Sequence, residues 1–313
     1  MPFEYDAELA PIVAAIAANR PERGSDRDWR DIRSTTEAAL TMLRSLTPPT
    51  PGVVATDHRV AAADGADLLL RWYVPAGSLP GSAVVYLHGG GMVAGSVELS
   101  EPKVTRLVAD TGIPVLAVDY RLAPEHPHPA PLEDCVTGLR WLVAHAADLG
   151  VDPGRIAVMG ESAGGGLAAG VALRSRDEGI ALAKQVLLCA MLDDRTTDPD
   201  PALLPFASWT YDDNRVGWTA LLGTSIGTAE VSPFAAPGRA TDLGGVADAY
   251  VEVGELDIFR DENVEYARRL ARAGVSVELH VHPGAPHGFD LVAPDSALVR
   301  RARADRVRVL QEL

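Results

Sequence analysis

The chain has 313 residues, 47% of them hydrophobic and 23% charged, an ordinary composition for a packed globular domain. A formal charge of −15 with a pI near 4.9 argues against a nucleic-acid or anionic-membrane surface, because binding to either begins with Lys and Arg neutralising phosphates. No apolar run approaches the roughly eighteen residues of a membrane helix, and no basic stretch leads into an apolar leader, so a cytoplasmic protein is expected.

In chain order, two helices come first. Leu9, Ile12, Val13 and Ile16 recur at helical spacing, as do Trp29, Ile32, Leu40, Leu43 and Leu46, until Thr47-Pro48-Pro49-Thr50-Pro51-Gly52 stops helix formation. Short β-rich runs at 53–62 and 68–74 follow, with Asp64-Gly65 between them as a hairpin signal. Beyond residue 83, strands and helices alternate. Apolar runs at 83–87, 113–118, 156–159, 186–190 and 250–253, and an alternating run at 275–281, read as strands of a mostly parallel sheet. Helices are expected at 104–109, 132–147, 167–174, 264–273 and 296–310. Residues 195–242 break this rhythm, with Trp209, Tyr211, Trp218 and Phe234 set among Pro and Gly, and read as an inserted segment covering something. Cys135 and Cys189 lie alone in apolar stretches without ligand spacing and are expected to be buried thiols.

Gly160-Glu161-Ser162-Ala163-Gly164 follows a strand-like run and opens a Gly/Ala-rich helix-like one, the strand-turn-helix setting of a nucleophile elbow. His88-Gly89-Gly90-Gly91 ends the run at 83–87, and its glycines leave backbone N–H groups able to approach a developing oxyanion. A serine hydroxyl needs a base, and the base needs an orienting carboxylate, so Asp or Glu and then His should follow Ser162. Of His280, His282 and His287, the first two lie in or at the end of a strand, whereas His287 sits in the loop just past it. Asp257, at the exit of the 250–253 strand, is the preferred acid. Glu255 is its local rival, and Asp261 and Glu262 read as dipole-complementing residues in a helix's first turn.

With these residues in place, the sequence from about residue 50 onward resembles the hormone-sensitive-lipase-like family of α/β-hydrolase carboxylesterases. The resemblance rests on His88 to Gly91, Asp119-Tyr120-Arg121-Leu122-Ala123-Pro124-Glu125, the elbow, Asp257 with Asp261-Glu262 behind it, and His287-Gly288-Phe289. It implies an α/β-hydrolase fold with a Ser162, Asp257 and His287 triad and an oxyanion hole from the N–H groups of Gly89, Gly90 and Ala163. His88 and the 119–125 run are then structural braces. It also implies that residues 1–50 and the insertion at about 195–242 form a helical cap over a catalytic domain spanning 51–313. Three departures bear on substrate preference: Met92 where the family commonly has an aromatic residue, expected to shape the pocket wall, Glu161 in place of Asp, and Ile258-Phe259 in place of Pro-Leu.

The expected activity is serine carboxylester hydrolysis of small, short- to medium-chain acyl esters, without metal or organic cofactor. An amidase or lactonase with the same triad, or a non-catalytic ligand-binding protein on this fold, are the alternatives. The expected partner is a small-molecule ester, with no nucleic acid and no membrane span, and homodimer formation is left open.

Overall fold

A computed structural model of the chain describes residues 3–18, 27–77 and 81–313. Helices α1 (Ala10–Ala18) and α2 (Trp29–Leu46) precede strands β1 (Val53–Ala61), β2 (Asp67–Pro75) and β3 (Ala83–Leu87). The chain then runs through α3 (Val97–Thr111), β4 (Val115–Val118), α4 (Ala130–Ala144), α5 (Ala146–Leu149), β5 (Ile156–Glu161), α6 (Ala163–Glu178) and β6 (Lys184–Leu188). Helix α7 (Tyr211–Leu222) lies in the long segment before β7 (Ala249–Gly254), and α8 (Arg260–Arg272), β8 (Val277–His282), α9 (Phe289–Val292) and α10 (Ala297–Gln311) complete the chain. Residues 19–26, within the expected 1–50 unit, lie outside the described residues.

The eight strands form one sheet in the order β1-β2-β4-β3-β5-β6-β7-β8, antiparallel at β1, β2 and β4 and parallel from there on. Side chains alternate across a strand, so the wholly apolar β3 and β5 must be covered on both faces. Val84, Tyr86, Ala157 and Met159 pack with α3 and α10, while Val85, Leu87, Ile156 and Val158 pack with α4 and α6. The parallel register places Leu87 beside Gly160, Glu161 beside Leu188, and Gly254 beside His282. The loops leaving β3, β5, β6, β7 and β8 therefore emerge along one edge, the usual position of a ligand site in such a sheet.

Tertiary contacts moved several expected boundaries. Helix α3 starts seven residues early, at Val97 rather than 104, because Ser96 caps Leu99 N–H and Asp119 accepts from Val97 N–H, and Pro102 is tolerated in its early turns. Helix α6 starts at Ala163 rather than 167 despite three glycines of poor helix propensity. A Cβ on Gly164 would lie 2.1 Å from Leu87 O and one on Gly166 would lie 2.1 Å from Met191 O, so close packing selects those glycines.

The N-terminal helices also differ from their apolar reading. No residue of α1 is buried, and Leu9 just before it is the anchor, inserted with Ala285, Phe289 and Leu298 under the loop after β8. Helix α2 buries only Ile32 and is tied down mainly by arginines. Arg27 pairs with Asp213 of α7 at 2.9 Å, Arg33 pairs with Glu125 at 2.7 Å, and Arg44 reaches Glu98 and Glu101 of α3. Ion pairs from α2 and from Arg27 just before it therefore add to the apolar contact of Ile32 in docking the helix.

Candidate active site

Ser162 sits between β5 and α6 with φ 54° and ψ −120°, a strained conformation for a residue with a side chain. The turn is possible because its neighbours lack a Cβ. One added to Gly160 would lie 2.0 Å from Gly164 O. Ser162 N–H donates to Leu188 O at 2.8 Å, and its carbonyl accepts from Met191 N–H at 2.9 Å, so the turn is clamped to the β6 exit on both sides.

His287 Nε2 lies 3.0 Å from Ser162 Oγ, and His287 Nδ1 lies 2.7 Å from Asp257 Oδ2. Asp257 is buried, and its other oxygen accepts from Phe259 N–H at 3.0 Å, which fixes the carboxylate. Burial alone would push the His287 imidazole below its ordinary pKa, but the facing Asp257 carboxylate outweighs it and holds the ring well above that value. Glu255 is engaged elsewhere, accepting from Gly284 N–H at 2.9 Å and so holding the base of the His287 loop. His280 pairs with Glu278 at 2.7 Å, and His282 stands 3.7 Å from Glu252. Glu262 stands in the first turn of α8 as expected and in addition accepts from Leu192 N–H at 2.6 Å and from the Thr196 hydroxyl, and burial pushes its pKa well up.

Gly89 lies against Ser162, since a Cβ there would come within 3.5 Å of Ser162 Cβ. Among the described residues, no backbone hydrogen bond outside the regular elements uses the N–H of Gly89, Gly90 or Ala163. Ala163 also opens the sixteen-residue helix α6, whose N-terminal dipole favours negative charge. Packing, rather than ligand approach, requires the other glycines. Gly90 has φ 131° and a Cβ there would lie 2.0 Å from Ala94 O, while one on Gly91 would strike the Trp209 ring at 2.2 Å. Met92 is not a pocket-wall residue as expected from the sequence. With φ 67° its side chain turns inward and is fully buried beneath the loop, where its methyl approaches Gly166.

The brace behind this loop is explicit. The His88 ring stacks on Tyr120 at 4.2 Å, and Tyr120 Oη donates to His88 O at 2.7 Å. Burial lowers the His88 pKa, which keeps the ring neutral. Arg121 bonds both oxygens of fully buried Asp134 at 2.8 Å and also reaches Asp64 at 2.7 Å. Arg121→Met leaves Asp134 buried and unpaired, so a loss of about 3 kcal/mol in chemical-denaturation stability is expected. Unchanged stability would show that water replaces the guanidinium.

A cavity of about 380 Å³ opens above Ser162 and His287, walled by Ile32, Ala39, Leu40 and Leu43 of α2, by Leu99 of α3 and by Trp209. Of the four aromatics singled out in the 195–242 segment, only Trp209 reaches it, while Trp218 and Tyr211 are buried in the core and Phe234 packs against that core. Cys135 is buried, but Cys189 is only partly so and lines the cavity. Its sulfur and the polar atoms of His287 and Asp257 lie within 4.8 Å of one another. Its place beside the histidine was not visible in sequence, because it depends on β6 and β8 flanking β7. Among the described residues, no helix is long and apolar enough to cross a membrane.

A family model described as the α/β hydrolase fold matches residues 84–291. Carboxylesterase NlhH of Mycobacterium tuberculosis is 35% identical over 83% of this chain and 85% of its own length, and an ethyl acetate hydrolase of Pseudomonas putida is 34% identical over 75% of each. Among solved structures, a bacterial heroin esterase superposes with a TM-score of 0.87 at 38% identity, covering 98% of this chain and 97% of its own. A hyperthermophilic esterase from the archaeon Pyrobaculum calidifontis gives 0.87 at 32% identity, covering 99% of each. The sequence motifs, the sheet order and these relatives agree: the chain belongs to the α/β-hydrolase fold family and, within it, to the hormone-sensitive-lipase-like carboxylesterases, serine hydrolases of ester bonds.

Proposed function

We propose that Ser162, His287 and Asp257 hydrolyse small, short- to medium-chain acyl esters by two-step acyl transfer. The observation that carries this reading is the continuous line from Asp257 Oδ2 through His287 to Ser162 Oγ, at 2.7 and 3.0 Å, on the floor of an apolar cavity. His287 takes the Ser162 proton as Oγ attacks the ester carbonyl, and the same proton passes to the departing alkoxide. Water, activated by His287, then releases the acid. Asp257 holds the ring so that Nε2 faces the nucleophile and stabilises the imidazolium.

The N–H groups of Gly89, Gly90 and Ala163 receive the oxyanion, each donor contributing on the order of 3 kcal/mol to the transition state. The N-terminal helices and the 195–242 segment act as a cap, a reading supported by the α2 side chains and Trp209 in the cavity wall. A fluorophosphonate should label Ser162 stoichiometrically, and nitrophenyl esters of increasing acyl length should fall off once the chain outgrows the cavity. A Ser162 that stays unlabelled in folded protein overturns the assignment.

Turnover needs neutral His287, and Asp257 raises that ring's pKa. Activity should therefore be full on the alkaline side and be lost as pH falls through a midpoint above the ordinary histidine value of about 6.5. A kcat/KM profile with its midpoint below that value would contradict the carboxylate's influence on the free enzyme.

A further inference from the structure

Beside the nucleophile elbow lies a partly buried ionic network that the reaction itself does not use. Lys103 of α3 pairs with the carboxylate of Glu161, the residue before Ser162, and its Nζ lies 3.9 Å from Asp290 Oδ2 in α9, three residues after His287. Tyr86 Oη donates to Glu161 Oε1 at 2.8 Å. Arg306 of α10 donates to Asp290 at 2.9 Å and to both oxygens of buried Glu252 at 2.5 and 3.1 Å, and Tyr250 Oη donates to Glu252 at 2.8 Å. Burial opposes the Lys103 charge, but Asp290 and Glu161 outweigh it and hold the ammonium protonated. Burial likewise opposes the Asp290 charge, and Lys103 and Arg306 together hold that carboxyl well below its usual range.

Ser162 and His287 lie on separate segments, 125 residues apart along the chain. Catalysis requires their side chains to keep one separation, and a displacement of about 1 Å can cost on the order of 10²-fold. Lys103 belongs to neither segment and grips both, through the residue preceding the nucleophile and the helical turn following the base. Its side chain is also part of the cavity wall, yet its charge is already matched by Glu161 and Asp290, so it offers little to a substrate anion.

We propose that Lys103 is a positioning residue that sets the Ser162–His287 separation by joining Glu161 and Asp290. This rests on the triad reading above. The test compares Lys103→Met, Glu161→Gln and the double variant for kcat, KM and the fluorophosphonate labelling rate of Ser162, each well below its melting temperature. Lys103→Met should lower kcat and the labelling rate together by about 10- to 100-fold with KM within about threefold. The double variant should lose no more than Lys103→Met alone, since both act through one contact.

Three results overturn the inference: kcat within twofold of the parent, a rise in KM at unchanged kcat, or losses that multiply in the double variant. Should Lys103→Met fail to fold because Glu161 is left without its counter-charge, the double variant removes one charge of each sign and carries the same kcat and KM expectations. Parent protein labelled at Ser162 alongside a fully active Lys103→Met overturns this inference alone. Parent protein unlabelled at Ser162 overturns the triad reading with it.

Discussion

Ser162→Ala is expected to lower kcat for a short-chain nitrophenyl ester by about 10⁴- to 10⁶-fold, leaving only what binding and the oxyanion donors supply. The size of this effect follows from the geometry. The hydroxyl lies 3.0 Å from His287 Nε2, placed to give up its proton and form an acyl-enzyme. Without it, hydrolysis must proceed by direct attack of water, with no covalent intermediate to divide the barrier. The backbone of the elbow is clamped by Leu188 and Met191 through main-chain bonds that alanine retains, so the melting temperature should stay close to the parent's. Activity within tenfold of the parent in such a folded variant would remove Ser162 from the mechanism.

Asp257→Asn should lower kcat by about 10⁴-fold, because an amide facing Nδ1 favours the wrong imidazole tautomer and no longer stabilises the imidazolium. It also removes the carboxylate that raises the His287 pKa, so the residual activity should show its acid limb at lower pH than the parent. Glu255→Gln, by contrast, changes a residue that accepts from Gly284 N–H, and the amide oxygen can still accept, so kcat should stay within about tenfold. The reverse order of losses would move the acid to Glu255.

Much of this site was legible in the sequence because its parts are local. The elbow needs small residues at fixed offsets around Ser162, the glycine run follows a fully apolar strand, and Asp257 and His287 each stand just past a strand. Reading roles from residue type alone failed where a side chain's direction mattered. Met92 looked like a wall residue but turns into the core, since its positive φ reverses the side-chain direction expected from its place in the loop. Cys189, also at positive φ, looked like a core thiol and instead faces the histidine. Glu262 is the first-turn carboxylate it looked like, but it also accepts from the loop after β6, a second role its local sequence did not show.

By itself the sequence determined the alternation of strands and helices, the order of the chemical groups along the chain and the family to which they belong. These follow from periodicity, turn chemistry and short-range spacing, which act over a few residues. Only the tertiary structure decided that α2 docks through its Arg33 and Arg44 and through Arg27 just before it, that Trp209 rather than Trp218 reaches the cavity, and that Lys103 joins the elbow to the histidine loop. Each of these pairs groups tens to more than a hundred residues apart. Such pairings are set by strand order and by which face of a helix meets the sheet, and a charged residue's local sequence gives no sign of the partner it will meet.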